Sequence, residues 1–389
     1  MQTASARSRI AFFDAYALTA GAGIALCDLV ERIDRSQFEP VALLPRHGPL
    51  ADMLREVDCP IHVIEPPPPL GAYGRRLGGG GGPEMLGAAR ALTQYAWTVA
   101  RWLRAQEIDL LHCNQTRAVF EAGAGGCIAG VPVVWNVRIR EQLPRLVVRL
   151  CDEYSDLIIP LTVGDFAGLA DEQRLLSRSV VIPNAVDSAR FSPGRDRAAT
   201  RVRLGVGERP LVLSAGVLVP RKGFDLAIRA MSTVVRVCPD AMLLIAGGEP
   251  DTTGGCRAVL EALAADLGLV NNVTFLGHRE DMPDLLAACD LFVLASRLEG
   301  DPAVVLEAMA TGRPVIATAP AAASVRDGVT GLVTPADDAE DLARAMLRLL
   351  AGRERSRAMG EAARRVVEAE HEIGDMVRRY EAAWAALLT

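Results

Sequence analysis

The sequence predicts an α/β protein made of two doubly wound parallel-sheet domains. Its 389 residues exceed what one hydrophobic core usually organises. Short apolar runs alternate with stretches of helical spacing, the pattern of parallel strands joined by crossover helices. The alternation also runs twice. It stops in NAVDSARFSPGRDRA (184–198), rich in proline, glycine and charge, and starts again near Pro210.

The first series places strands at 9–13, 40–44, 61–64, 109–113, 131–137, 157–161 and 179–182. Ile10 to Val30 is mostly apolar, but Asp14, Asp28 and the glycines of TAGAGIAL (19–26) interrupt it. It reads as strand, glycine loop and helix, not as a membrane span or signal peptide. Gly21 and Gly23 either approach a ligand closely or make a tight turn; without a full G-x-G-x-x-G the dinucleotide reading is weak. PPPPLGAYGRRLGGGGGPE (66–84) cannot be regular packed structure and is expected to be a mobile surface loop, a tolerated insertion or a lid over an acceptor. RIREQLPRLVVRLCDEY (138–154) reads as a basic helix carrying Arg138, Arg140, Arg145 and Arg149. Its arginines either face water or rest the protein on a membrane surface.

The second series places strands at 211–215, 242–246, 273–276, 291–295 and 314–318, and helices at about 223–237, 256–267, 302–311 and 339–350. A final amphipathic helix covers about 373–388. The expected domains are 1–187, 188–370 and a terminal segment, 371–389. Ligands of such sheets bind beyond the carboxyl ends of the strands, and the cleft between two such domains is the default site.

Composition bounds the chemistry. Half the residues are apolar and 23% charged, a soluble globular balance. The formal charge of −6 weighs against a nucleic-acid partner. Eight cysteines are scattered without a C-x-x-C pair, which suggests buried reduced thiols and a cytoplasmic setting. Five scattered histidines suggest no metal cluster.

The segment EGDPAVVLE, Glu299 to Glu307, carries the strongest chemical signal. Asp301 then Pro302 is a helix start, a capping side chain before a first-turn proline, and Gly312 and Pro314 end the element. Ala303 to Ala310 is apolar around nearly its whole circumference except at Glu307, so the helix should be buried. An unpaired buried carboxylate is costly, so Glu307 needs a partner: a ligand, an arginine or backbone N–H groups. Glu299 precedes the cap, beyond the strand DLFVLAS, where helix N–H groups can hold an anion. Lys222 sits at another helix start. A merely solvated cation is poorly placed beside that dipole, which favours a ligand role.

SRLEGDPAVVLEAMATGRPVIAT resembles the signature of the retaining glycosyltransferases of family 4, which have the GT-B fold. VIPNAVDSARFSP (181–193), LSAGVLVPRKGFDLAIRAM (213–231), LLIAGGEPD (243–251), VTFLGHREDMPDLLAACDLFVLAS (273–296) and DGVTGLVTPADD (327–338) resemble further family blocks in the same order. The resemblance implies transfer of a sugar, with retention, from a nucleoside diphosphate sugar to an acceptor hydroxyl. The donor would be a UDP- or GDP-sugar and the acceptor a carbohydrate or a lipid-linked glycan. The protein would be cytoplasmic or peripheral at the inner face of a membrane. The family's pattern places Glu307 on the ribose, Glu299 on the donor sugar and Lys222 on the diphosphate. Gly300, Asp301, Ala303 and Val304 would meet sugar or diphosphate through the backbone, and His278 and Arg279 would lie near the base. Gly21 and Gly23 would approach phosphate and acceptor. The final helix would cross back to the first domain. No Asp-x-Asp occurs, so no catalytic metal is expected and no cofactor beyond the co-substrate.

The chain also departs from the family's pattern. Val217 follows Gly216 where an arginine is common, and Arg221 is the substitute cation. Asn136 stands in place of a histidine close to the donor sugar; it can hydrogen-bond a hydroxyl but carries no proton at neutral pH. ATAPAAASVRDG lacks the usual glycine pair, and PNA (183–185) replaces PNG. These changes imply altered donor choice or weakened catalysis. They leave two rivals: a nucleotide-sugar 2-epimerase on the same scaffold, and a non-catalytic nucleotide-sugar-binding partner of another transferase.

Overall fold

The computed structural model describes residues 7–17, 21–68, 82–138, 144–169, 171–249 and 254–389. The first strands and helices are β1 (Ser8–Phe13), α1 (Gly21–Arg32), β2 (Phe38–Leu44), α2 (Pro49–Glu56), β3 (Ile61–Val63) and α3 (Gly82–Ala105). Then come β4 (Leu110–Cys113), α4 (Thr116–Ala129), β5 (Val133–Val137), α5 (Arg145–Tyr154), β6 (Leu157–Pro160) and α6 (Glu172–Ser177). The second series begins with α7 (Arg197–Arg203), β7 (Leu211–Ala215), α8 (Phe224–Val237), β8 (Met242–Ala246), α9 (Cys256–Asp266) and β9 (Val273–Gly277). It continues with α10 (Met282–Ala288), β10 (Leu291–Leu294), α11 (Ala303–Ala310), β11 (Val315–Thr318) and β12 (Gly331–Thr334). Helices α12 (Ala339–Ala351), α13 (Arg353–Glu370) and α14 (Ile373–Leu388) close the chain.

The chain divides into two compact units, Met1–Pro183 with Gly374–Thr389, and Asn184–Ile373. Each holds a six-stranded sheet, ordered β3-β2-β1-β4-β5-β6 and β12-β11-β10-β7-β8-β9. Every adjacent pair is parallel. Counted within its own unit, each sheet reads 3-2-1-4-5-6, the doubly wound order. The order reverses between β1 and β4 in the first unit and between β7 and β10 in the second. At such a reversal the loops leaving two neighbouring strands diverge to opposite faces and open a crevice.

Both faces of the second sheet's central strands are buried, so β7, β8 and β10 are apolar except for Ser214 rather than alternating. Leu211, Leu213 and Phe292 pack with Leu306 and Met309 of α11 on one face. Val212, Leu243 and Val293 pack with Ile228 and Met231 of α8 and Met346 of α12 on the other. Strand alternation sorts neighbours such as Leu211 and Val212 between the two cores. In the first unit, Val41, Leu111 and Trp135 pack with Tyr95, Val99 and Val119 of α3 and α4. Against the opposite face, Phe12 and Phe38 meet the ring of Trp384 of α14 edge-on.

Four expectations are corrected. Residues 179–182 form no strand, only a bridge from Ser179 to Ile158. Val180 and Ile182 donate N–H groups to Ile158 and Pro160, but Pro160 has no N–H to return and the ladder stops. Gly82, Pro83 and Glu84 already belong to α3, so the irregular stretch ends earlier; residues 69–81 of the expected loop lie outside the described residues. The basic helix begins at Arg145 and not at 138, which follows the end of β5. Arg140 and Glu141 are outside the described residues. Strand β12 adds to the five expected in its sheet. Among the described residues, no helix is long and apolar enough to cross a membrane. Five of the eight cysteines are buried, Cys238 and Cys256 are partly buried, and Cys127 is exposed.

Candidate functional site

The second unit's topology brings the segments after β7 and β10 together. After β7 the chain passes Gly216, at φ 147°, and forms a 3-10 turn, Pro220–Lys222, closed by Gly223 at φ 67°. A Cβ on Gly223 would lie 1.9 Å from the carbonyl oxygen of Ala295, at the end of β10, so only glycine allows this close approach. Arg297 fastens the two segments further. Its backbone N–H donates to the Arg221 carbonyl at 2.7 Å, and Nη1 donates to the Pro220 carbonyl at 2.8 Å. Its guanidinium also grips Asp225 at 2.9 and 2.8 Å. That bond raises the Arg297 pKa and holds the Asp225 carboxyl below its ordinary value, so both stay charged.

This stitching places Lys222 Nζ 2.6 Å from Glu299 Oε1. The side chains are 11% and 8% exposed. Ser296 Oγ donates to the same Glu299 oxygen at 2.8 Å, and Arg221 Nη1 stands 3.4 Å from the other. The Lys222 stem packs over Gly216, where a Cβ would lie 3.3 Å from its Cε. Burial lowers the Lys222 pKa, and Glu299 opposes that shift. Lys222 is therefore not the solvated lysine that the sequence left open.

Helix α11 starts immediately beyond. Pro302 occupies its N-cap without a side-chain cap. Asp301 lies one position outside, contrary to the expected capping role. Its carboxylate is buried and accepts the Asn184 N–H at 3.0 Å and the Ser324 hydroxyl at 2.7 Å. Five of the eight helix residues are buried; Ala303, Val304 and Glu307 are only partly buried, as is Gly300 before them. Positions 303, 304 and 307 share one helix face, so the open stripe of α11 runs through three residues singled out from sequence.

His278 and Arg279 follow β9, at the edge of this sheet. His278 is exposed, and Arg279 pairs with Asp281 at 2.8 and 2.6 Å. The carboxyl ends of β7, β8 and β9 are laced together: Gly216 N–H donates to Ala246 O at 2.9 Å and Gly247 N–H to Gly277 O at 2.8 Å. The candidate residues of this unit thus lie along one end of its sheet.

The first unit's candidates are placed differently. Gly21 and Gly23 lie in the first turn of α1, not in a loop; residues 18–20 are outside the described residues. Asn136 is buried in β5, and its amide bonds His112 at 3.4 Å and the Tyr380 hydroxyl at 3.3 Å. Trp384 Nε1 donates to His112 Nδ1 at 3.4 Å. Burial, aided by the Arg138 charge, pushes His112 down to about 3, so the ring is neutral, with one donor and one acceptor nitrogen. The side chain of Asn136 thus ties β5 to Tyr380 of α14. The sequence reading also missed Ser296, Arg297 and Ser324. The run SRLEG was the available signal for the first two, since it places polar residues at a strand's carboxyl end.

Residues 196–366 match the family model of the glycosyl transferases group 1. Among curated relatives, a GDP-mannose-dependent monoacylated alpha-(1-6)-phosphatidylinositol monomannoside mannosyltransferase of Corynebacterium glutamicum is 41% identical over 202 residues, 49% of this chain and 51% of that protein. A D-inositol 3-phosphate glycosyltransferase of Nocardia farcinica is 34% identical over 281 residues, 69% of this chain and 58% of that protein. The chain thus spans about half the length of the mannosyltransferase and somewhat more of the inositol phosphate enzyme. Among solved structures, Anabaena HepE in complex with UDP and glucose superposes with a TM-score of 0.81 at 23% identity, covering 98% of this chain and all of that one. Sucrose-phosphate synthase from Thermosynechococcus elongatus gives 0.78 at 20% identity, covering 98% and 99%.

Proposed function

We propose that this chain, which has the GT-B fold and whose residues 196–366 match the glycosyl transferases group 1 model, is a glycosyltransferase of the family-4 type that transfers a sugar from a nucleoside diphosphate sugar to an acceptor hydroxyl, with retention and without a metal. The observation that carries this reading is the buried Lys222–Glu299 pair at the reversal between β7 and β10. A buried ion pair adds little to stability over apolar packing, and buried charges at a ligand crevice are candidates for function.

The roles follow from position. Bond cleavage builds negative charge on the departing diphosphate. Lys222, with Arg221 beside it, supplies fixed positive charge for that group, and one such donor is worth on the order of 3 kcal/mol at the transition state. The uncapped start of α11 adds backbone N–H groups aimed in the same sense. Glu307, one turn along the same open stripe, is the ribose ligand. Glu299 faces the donor sugar, and an arriving diphosphate competes with its carboxylate for Lys222. The relatives named for GDP-mannose make GDP-mannose the first donor to try, with UDP-sugars second. An inositol phosphate or a phosphatidylinositol glycan is the first acceptor class, by the names of the same relatives. A glycolipid acceptor would bring the protein to a membrane surface, with Arg145 and Arg149 on the outer face of α5 as contacts.

The test is transfer, or slow release, of sugar from GDP-mannose and UDP-glucose, with the product anomer read by NMR and a chelator control. Retained configuration and indifference to chelation are expected. An inverted product, or activity lost on chelation and restored by a divalent ion, would overturn the mechanism.

A further inference from the structure

Asp301 lies between Glu299 and α11, yet its side chain turns away from the open face. Its carboxylate is buried: Asp301 is 4% exposed and Asn184, its partner, 7%. Oδ2 accepts the Asn184 backbone N–H at 3.0 Å, and Oδ1 accepts the Ser324 hydroxyl at 2.7 Å. The Asn184 side-chain amide donates back to the Asp301 carbonyl. Asn184 is the first residue of the second unit and Ile373 the last. These two ends are laddered to each other: Val186 N–H donates to His371 O at 2.9 Å, and Ile373 N–H to Val186 O at 3.2 Å. His371 Nδ1 also stands 3.0 Å from the Asn184 carbonyl.

One carboxylate therefore joins three segments: the loop carrying Glu299, the alanine-rich turn carrying Ser324, and the chain entering the unit. The entering chain is in turn bonded to the chain leaving it. We propose that Asp301 is a positioning residue, coupling the Glu299 loop to both segments at which the chain passes from one unit to the other. The proposal rests on the donor-site reading of that loop. Neither piece can shift alone without stranding a buried N–H or breaking a charge-assisted hydrogen bond.

Hydrogen exchange on the full chain tests this, first ligand-free and then with GDP or UDP. In Asp301→Ala, peptides covering 184–188 and 371–373 should exchange about tenfold faster than in the wild type, the equivalent of one lost buried hydrogen bond. Asp301→Asn keeps an oxygen for the Asn184 N–H and should restore most of the protection. Ser324→Ala leaves the Asn184 bonds intact and should stay near wild type. In the wild type, the nucleotide that binds should protect 184–188 as well as 297–304; in Asp301→Ala only 297–304 should respond. Coupling is reciprocal, so Asn184→Ala should speed exchange at 297–304, and that variant decides the matter if Asp301→Ala does not fold. Wild-type exchange at 184–188 in Asp301→Ala, or at 297–304 in Asn184→Ala, would overturn the proposal. Absence of any nucleotide effect on the wild type would instead count against the donor site, while the ligand-free comparison still decides the coupling.

Discussion

At the scale of single residues, candidate positions were legible where a residue was out of place for its surroundings. Glu307 interrupts an apolar helix, and Lys222 sits where a helix dipole repels it; both lie along the candidate end of the second sheet. The hydrogen-bond partners of Asn136 were not legible. A short apolar strand shows that a polar residue is buried but not which neighbour satisfies it, and the partners, His112 and Tyr380, lie 24 and 244 positions away. The two cases give different expectations. Lys222→Ala should lower kcat for transfer by about 10²–10³-fold, the cost of one lost donor to a developing anion. Its thermal stability should fall as well, because the buried Glu299 keeps, among the described residues, only Ser296 and Arg221 as partners. Asn136→Ala should lower stability by about 1–3 kcal/mol in urea unfolding, because it strands buried polar partners, and should leave nucleotide affinity unchanged, so nucleotide affinity is what separates the two variants.

At the scale of elements, strand and helix positions followed from alternation, and all nine strands and helices expected in the second unit lie within a residue of their expected bounds at both ends. What alternation could not show is how loops meet. Arg297 and Gly223 fix the Glu299 segment against the Lys222 turn through contacts spanning some seventy residues. Asp301 was misassigned because Asp-Pro suits an N-cap locally, whereas the folded chain offers it Asn184 and Ser324. Gly223→Ala should be costly on two counts, a left-handed φ and a collision with the Ala295 carbonyl. Gly205→Ala, at the same φ of 67° but with open space around it, isolates the first count. It should cost about 1 kcal/mol, and Gly223→Ala clearly more, as the urea midpoints of the two variants will show. Only Gly223→Ala should also weaken nucleotide binding.

At the scale of the whole molecule, the twofold alternation gave the class of the fold, and the shared 3-2-1-4-5-6 order explains why the residues after β7 and β10 are neighbours. A buried histidine adds a pH dependence to the folded state. His112 titrates at about 3 when folded, against 6.5 for the free side chain. Between those values the unfolded chain binds a proton that the folded chain refuses. Stability contributed by the neutral ring is therefore complete above pH 6.5 and lost as the pH falls toward 3, at up to about 1.4 kcal/mol per pH unit. His112→Gln should flatten that part of the stability profile relative to wild type; parallel profiles for the two proteins between pH 6.5 and 4 would contradict it.

The donor site itself is tested most directly by calorimetric titration of GDP and of UDP into the full chain and into Glu307→Ala. One nucleotide should bind the wild type, and the substitution should weaken it at least about tenfold, as loss of a hydrogen-bonding carboxylate requires. Failure of both nucleotides to bind, or binding that Glu307→Ala leaves untouched, would contradict a nucleotide-sugar site at the carboxyl end of this sheet.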